Sequence, residues 1–459
     1  TAETFPDPLT PLEDDLWVPP LREGIARALT ATGAVPPAAL ARSPVVTTVG
    51  RRVAVDLMLL GATSGHAGFT RRLSPAAIVR RLTAAWRVGR LRVALPHLAA
   101  TVVDTVDRDL ATTVLDGAGL SDLVDLLRRS RDELATVHAY EVLCGMLLRE
   151  RPGTPSATSI ALRALHEGRS EHRSDAEIIH TAPVVLALSA PSLTAAPRLP
   201  ATAPMPPGPT ARIAELSERD ALRLRVRWLH ELQCRIVHRI GDELLRQRVL
   251  SGREISDRET SDRDTVAWLR LDELEAVARG ERVPMAATAE RRAEPLSAPL
   301  PTAFHVSTAG GVLPVRLRHA GRTGRTGRTT GTTVGLPAGG GRSTGVVVHR
   351  LVPGSVPAAS TAHGTVLVTR FLEPQLAPLL PYLQGLVAET GSALSHLAIL
   401  AREMGVATVV DVPGALQRFA PGTHVLVDGT TGAVDVLDPA PLTSSASTGT
   451  TSTGTGVTA

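Results

Sequence analysis

Residues Gly321 to Gly331 read Gly-Arg-Thr-Gly-Arg-Thr-Gly-Arg-Thr-Thr-Gly. No aliphatic or aromatic side chain interrupts the repeat, so it has nothing to bury and cannot join a core. A 459-residue chain that carries such a segment is expected to fold as separate bodies on either side of it. Together with the scattered prolines before it, residues 281–333 read as a linker that ends in a flexible tether. About 20 flexible residues have an end-to-end distance on the order of 25 Å, and can stretch to ~65 Å. Residues 439–459 are rich in Ser, Thr and Gly and are expected to form a disordered tail.

Residues 1–280 read as a mainly α-helical domain. From Leu120 to Leu148 the apolar residues Leu123, Leu126, Leu127, Leu134, Val137, Tyr140, Leu143 and Leu147 recur at a three-to-four-residue period. Ser121 is a suitable N-cap there, with Asp122 in the first turn. Ala211 to Leu250 gives the longest helical signal, with Leu222, Trp228, Leu232, Ile236 and Ile240 in its apolar stripe. Around Leu82, Trp86, Val88, Leu91 and Val93, apolar residues and arginines follow mixed spacing. Pro152-Gly153-Thr154-Pro155 marks a boundary, and Pro197 to Pro209 reads as an extended loop. Hydrophobic residues make up 43% of the chain but aromatics only 2%, so its cores must be built from Leu, Val and Ala.

The composition also excludes functions. The chain contains no lysine, so it can supply neither a Schiff-base lysine nor a lysine contact to nucleotide phosphates. Its net charge is only +4, and no basic block with interleaved aromatics stands out, so no nucleic-acid partner is expected. Cys144 and Cys234 have no partner motif and suit a reducing cytoplasm as buried thiols. His166, His172 and His180 match no metal-ligand spacing, and no metal site is expected. Glu171-His172-Arg173 reads as a loop of solvated charges. Thr1 to Asp15 is acidic and Pro-rich, unlike a signal peptide. The longest apolar stretch, Thr181 to Pro197, is broken by Pro183 and Pro191, so no membrane span and no membrane partner are expected.

The chemistry concentrates in Glu389-Thr-Gly-Ser-Ala-Leu-Ser-His396-Leu-Ala-Ile-Leu-Ala-Arg-Glu403. A Gly-containing loop runs into a helix that begins at His396. Backbone N–H donors and the helix dipole at such a start stabilise a phosphate. Imidazole, with an unperturbed pKa of ~6.5, can act as a nucleophile near neutral pH. His396 is therefore the candidate phosphohistidine. Gly391 would let the backbone approach the phosphate, Ser395 could cap the helix or contact the phosphate, and Arg402 is a candidate support for the loop or an ion-pair partner. Asp428 reads as a turn residue before Gly429.

Gly391, Ser395-His396, Ala398-Ile399 and Ala401-Arg402-Glu403-Met404-Gly405 resemble the phosphohistidine swivelling domain of the PEP-utilising enzymes. The resemblance continues through Val334-Gly335-Leu336-Pro337, Gly341 to Val347, Gly364 to Arg370, Glu373 to Leu380, Val409-Val410, Val412 to Ala415, and Gly422 to Val434. It implies a β/β/α swivelling domain over 334–438 that carries phosphate on His396. Gly241 to Leu245, Val266 to Leu274 and Thr4 to Leu12 are similar to the helical segment of the rifampicin-phosphotransferase branch. In those proteins an ATP-grasp nucleotide domain precedes this segment. The resemblance therefore implies ATP and Mg²⁺ held by an ATP-grasp partner domain or subunit, and not by these residues. It also implies a small-molecule phosphoryl acceptor, either pyruvate/PEP or a hydroxyl compound, with the helical domain as the candidate to bind it. The expected function is a phosphotransferase component. The alternative is a non-catalytic binding or regulatory module that keeps the fold, which Ser392 and Leu394 favour because they replace the family's usual Gly and Thr or Met.

Overall fold

The computed structural model describes residues 5, 7–56, 59, 75–149, 154–199, 216–247, 262–294, 300, 304–306, 311–314, 333–349, 364–372, 374–391 and 396–437. The loop expected over Pro197 to Pro209 lies mostly outside these residues, as do the Gly-Arg-Thr repeat and the carboxy-terminal tail. The chain divides into two compact units, with Thr1–Arg322 in the first and strands β5 to β12 below in the second.

The first unit is helical. Helix α1 (Pro11–Thr32) starts at a capping box in which Thr10 and Glu13 satisfy each other's backbone N–H, and it stops at left-handed Gly33. A short helix α2 (Pro37–Arg42) and an antiparallel hairpin, β1 (Val46–Val49) and β2 (Arg52–Val55), follow. Helix α3 covers Pro75–Thr112, and α4 covers Leu120–Leu147. The N-cap of α4 is Gly119 and not Ser121, because Asp122 reaches back 3.2 Å to the Gly119 N–H and fixes the start two residues earlier. Next come α5 (Ala157–Ser170), α6 (Asp175–Thr181), a 3₁₀ turn over Pro183–Leu188, and α7 (Glu218–Arg246). The 38-residue α3 exceeds the 29-residue α7, although the sequence signal is longer for the latter.

Helices α1, α4 and α7 form the heart of this unit. A buried polar chain ties all three together: Trp17 Nε1 donates to Gln233 Oε1 at 2.9 Å, and Gln233 Nε2 donates to Ser130 Oγ at 3.2 Å. Phe5, Trp17 and His230 stack within the same core. Helix α8 (Leu271–Ala278) caps the bundle, followed by α9 (Met285–Ala293). The stretch read as linker is thus not featureless: Arg291 on α9 bonds Glu273 at 2.6 Å and the Trp268 carbonyl at 3.2 Å. A small hairpin, β3 (Phe304–Val306) and β4 (Val312–Pro314), lies further on.

The second unit is a mixed sheet in the order β5-β12-β11-β7-β8-β9-β10-β6. Its strands are β5 (Thr333–Val334), β6 (Leu336–Gly339), β7 (Arg342–Val348), β8 (Thr365–Thr369), β9 (Gly385–Ala388), β10 (Ala407–Val410), β11 (His424–Asp428) and β12 (Ala433–Val436). Strands β5 and β6 are separated only by Gly335 but stand at opposite ends of that order, so the sheet closes on itself. A side chain at Gly335 would lie 2.5 Å from the Val410 carbonyl, which explains a glycine at the seam. Strands β7 to β10 run parallel, and β8, β9 and β10 are nearly continuous aliphatic runs buried on both faces. Val347, Val366, Val387, Val409, Val427 and one aromatic, Phe419, fill the core. A 3₁₀ stretch (Pro374–Tyr382) joins β8 to β9, helix α10 (His396–Glu403) joins β9 to β10, and α11 (Ala415–Arg418) follows β10. These helical and mixed-sheet parts fit a multidomain α/β protein. No described helix is long and apolar enough to cross a membrane.

Candidate functional site

In parallel sheets, binding loops leave from the carboxyl ends of the strands. Here that edge carries His349 after β7, Arg370 after β8, Glu389-Thr390-Gly391 after β9 and Asp411 after β10. The exit of β9 is clamped on two sides. Toward β8, the Glu389 N–H donates to the Thr369 carbonyl at 3.0 Å, and Thr390 donates to the Arg370 carbonyl through both its N–H and its hydroxyl at 3.1 Å. Toward the turn after β10, the Val412 N–H donates to the Ala388 carbonyl, and the Leu416 N–H donates to Glu389 Oε1, each at 3.1 Å. The second carboxylate oxygen of Glu389 faces Arg370 Nε at 3.9 Å. This clamp delivers the chain rigidly to Gly391, whose nearly extended backbone has φ 159°.

Helix α10 begins at His396, five residues beyond Gly391. Residues 392–395, including Ser395, and the His396 side chain lie outside what the structure describes. The far end of the helix is firm. Gly405, at φ 74°, and Val406 return their N–H groups to the Arg402 and Ala401 carbonyls and close the last turn. Arg402 Nε donates to the Ala338 carbonyl at 3.0 Å, and its side chain lies against Gly339, where a Cβ would approach to 2.6 Å. This places Arg402 as an anchor of α10 on β6. His349 Nε2 lies 2.7 Å from the Phe419 carbonyl, which ties β7 to the end of α11.

Asp428 is a turn residue: its Oδ1 accepts the N–H groups of Thr430 and Thr431 at 3.0 Å, and Arg342 pairs with it at 3.2 Å. Burial pushes its carboxyl up, but those hydrogen bonds and Arg342 outweigh that and hold it below the usual range. In the helical unit, Glu171 and Arg173 pair in an exposed turn where His172 adopts φ 61°. Both cysteines are buried. Cys144 borders a cavity of about 210 Å³ with Leu148, Arg149, Ser217 and Arg219. Burial pushes its thiol up to about 12, so it stays a neutral thiol. Among the described residues no three His, Cys, Asp or Glu side chains gather as metal ligands.

Arg370 and Glu389 are the residues that sequence reasoning missed. Arg370 stands inside a segment that carries the family resemblance and Glu389 opens the stretch that leads to His396, but their pairing across adjacent parallel strands has no sequence period to reveal it.

Residues 361–432 match the family described as PEP-utilising enzyme, mobile domain. A rifampicin phosphotransferase of Streptomyces sviceus is 38% identical over 108 residues, covering 23% of this chain and 12% of that protein. Another rifampicin phosphotransferase, from Streptomyces sp, is 32% identical over 199 residues, covering 43% of this chain and 21% of the relative. A probable phosphoenolpyruvate synthase of Staphylothermus marinus is 37% identical over 100 residues, covering 22% of this chain and 12% of its own length. The chain thus spans only about an eighth to a fifth of the relatives it matches. The matched residues run from just before β8 to the β11–β12 turn and contain the whole clamped edge, and over them the chain is similar to the mobile domain of PEP-utilising enzymes.

Proposed function

We propose that this chain is a phosphotransferase component in which His396 carries a phosphoryl group between an ATP-grasp partner and a small-molecule acceptor. The observation that carries this reading is the position of His396 in the chain: first residue of the helix that follows β9, inside the segment that matches the family. A ring nitrogen of His396 attacks the donor phosphorus, an N–P bond forms, and the P–O bond to the nucleotide breaks. The acceptor oxygen then attacks, the N–P bond breaks, and the proton of the acceptor hydroxyl leaves to solvent or a base. Backbone N–H groups at the start of α10 stabilise the phosphoryl charge in this reading. Gly391 leaves room for that approach, Ser395 caps the helix or touches the phosphate, and Arg402 positions the helix through Ala338.

Similarity to a rifampicin phosphotransferase and a probable phosphoenolpyruvate synthase supports phosphoryl transfer as the chemistry. ATP and Mg²⁺ belong to the partner in this reading. The acceptor class is pyruvate/PEP or a hydroxyl compound, bound by the helical unit. The test incubates the chain with ATP, Mg²⁺ and an ATP-grasp partner and follows acid-labile, alkali-stable phosphate. Native chain should label and His396→Ala should not. An unlabelled native chain selects the second reading, a non-catalytic module, which the replacements at Ser392 and Leu394 favour.

A further inference from the structure

A helix need not span a bilayer to engage it, because an amphipathic helix can lie in the interface. Between Asp56 and Asp104 the chain carries seven arginines and not one Asp or Glu, whereas the arginines of α7 alternate with acids. Part of this segment is the amino-terminal half of α3. Residues 85–87, 89, 90 and 92–94 are exposed, with only Val88 and Leu91 half-buried, and Leu95 is the first fully buried side chain. Residues 85–94 of the helix therefore project from the bundle. Its outward stripe, at spacings of four, three and four, is Trp86, Arg90, Val93 and His97. Trp86 is 62% exposed and Val93 83%. The Arg90 guanidinium lies 4.9 Å from the Trp86 ring centroid, and Arg87 and Arg92 stand on opposite flanks of the stripe.

We propose that this projecting segment of α3 is a peripheral docking helix for an anionic lipid surface. The helix satisfies its own backbone groups and can lie in the headgroup layer without exposing polar backbone to hydrocarbon. Trp86 and Val93 enter the interface, where Trp is the favoured anchor. The arginines on either flank meet lipid phosphates while their stems cover the apolar edge. A central apolar stripe with cations on both sides is the pattern of an interfacial helix. A single-stranded nucleic acid would be held by a row of aromatics that stack its bases, and this face offers one. The inference is independent of phosphoryl transfer.

The full chain should co-sediment with phosphatidylcholine vesicles containing about 30% phosphatidylglycerol, and not with phosphatidylcholine alone. Binding should fall as salt rises from about 50 to about 300 mM. Of the four tryptophans only Trp86 is exposed, so a blue shift of emission on adding vesicles reports its insertion directly. Combined reversal at Arg87→Glu, Arg90→Glu and Arg92→Glu should weaken binding on the order of a hundred-fold or more, and Trp86→Ala should remove the blue shift. All four side chains are exposed, and circular dichroism checks that the fold is retained. Failure to bind the anionic vesicles, binding that survives the triple reversal, or binding without a Trp86 shift would each overturn the proposal. The first of these outcomes would leave an acidic protein as the partner of this face.

Discussion

The two units bury different things. The helical unit encloses Glu13, His230, Glu231, Gln233 and Arg235, whereas the described residues of the sheet unit enclose only Thr365, Thr408 and Asp428 among polar side chains. A helix satisfies its own backbone, so nothing in its ladder joins it to a neighbour. The buried acids of the helical unit perform that joining: Glu13 accepts the Leu193 N–H at 2.7 Å, and Glu231 accepts those of Arg198 and Leu199 at 2.6 and 3.1 Å. His230 is held neutral by complete burial beside Trp17, and its Nε2 has no partner among the described residues. In the sheet, inter-strand hydrogen bonds already link neighbours, and Val and Leu suffice between them. The helical unit should therefore fail through protonation and lost polar links, and the sheet unit through backbone clashes.

The largest effect tests the sheet. Gly340 has φ 86°, and a Cβ there would stand 1.8 Å from the Val406 carbonyl. Gly340→Val should cost about 4 kcal/mol or more, from a left-handed backbone and a clash with main chain that has nowhere to move. Hydrogen exchange should show lost protection in β6 and β10. All four tryptophans lie in the first 268 residues, so their emission follows the helical unit alone and should not change. A variant that alters both signals would break the comparison.

Acid should act on the other unit. Burial pushes the Glu141 carboxyl up, but the hydrogen bond from His138 and the charge of Arg223, at 3.2 Å, outweigh it and hold the group at about 2. A depressed acid contributes stability that is complete above its unfolded value near 4.5 and is lost as pH falls toward 2. The contribution is about 3 kcal/mol. Unfolding followed by tryptophan emission should lose this amount between pH 5 and pH 2 (about three pH units), and Glu141→Gln should flatten the curve. A steep acid transition in exchange from β8 and β9, with none in the emission, would reverse the assignment.

Cutting the three-helix link should cost less. Gln233→Leu strands the Trp17 indole N–H inside the core and takes away the donor to Ser130, whose hydroxyl keeps its bond to the Leu127 carbonyl at 2.8 Å, with a loss of about 2 kcal/mol. The denaturant midpoint should fall while Gln233→Glu, which keeps the acceptor for Trp17, recovers part of it at low pH.

Much of this was legible in the sequence where one period governs many residues. The three-to-four spacing around Leu123, Leu134 and Leu143 announced α4, whereas the strands at Val366 and Val409 were marked only by the family resemblance of their segments. The start of α10 at His396 was readable from a glycine loop entering an Ala-Leu run. Helix α3 was underestimated because Trp86 and Val93 face solvent, so its apolar residues fall on more than one face. The clamp of Arg370, Glu389 and Thr390 at the candidate site joins residues about 20 apart through parallel pairing, and local pattern carries no trace of such a contact. Arg402 illustrates the same limit: its residue type suggested phosphate or carboxylate, but the fold brings Nε to the Ala338 carbonyl 64 positions away.

The smallest effect refines the helical side of the comparison, because α4 holds two acids eight positions apart with opposite shifts. Glu133 has an Oε1 without a hydrogen-bond partner among the described residues. Burial, with some repulsion from Asp109, raises its carboxyl to about 7. A raised acid favours the folded state only while protonated. Its contribution is complete below the unfolded value near 4.5 and disappears as pH rises through 7, the reverse of Glu141. Glu133→Gln keeps the neutral shape at every pH and should stabilise the helical unit at pH 8 (about one unit above the folded value) by on the order of 1 kcal/mol after solvent screening, with no gain at pH 4 (about the unfolded value). Equal midpoints for variant and native chain at pH 8 would show that Glu133 gains compensating partners in solution. A gain at pH 8 that vanishes in acid would show that the helical unit tolerates a buried carboxylate only where, as at Glu141, a cation stands opposite it.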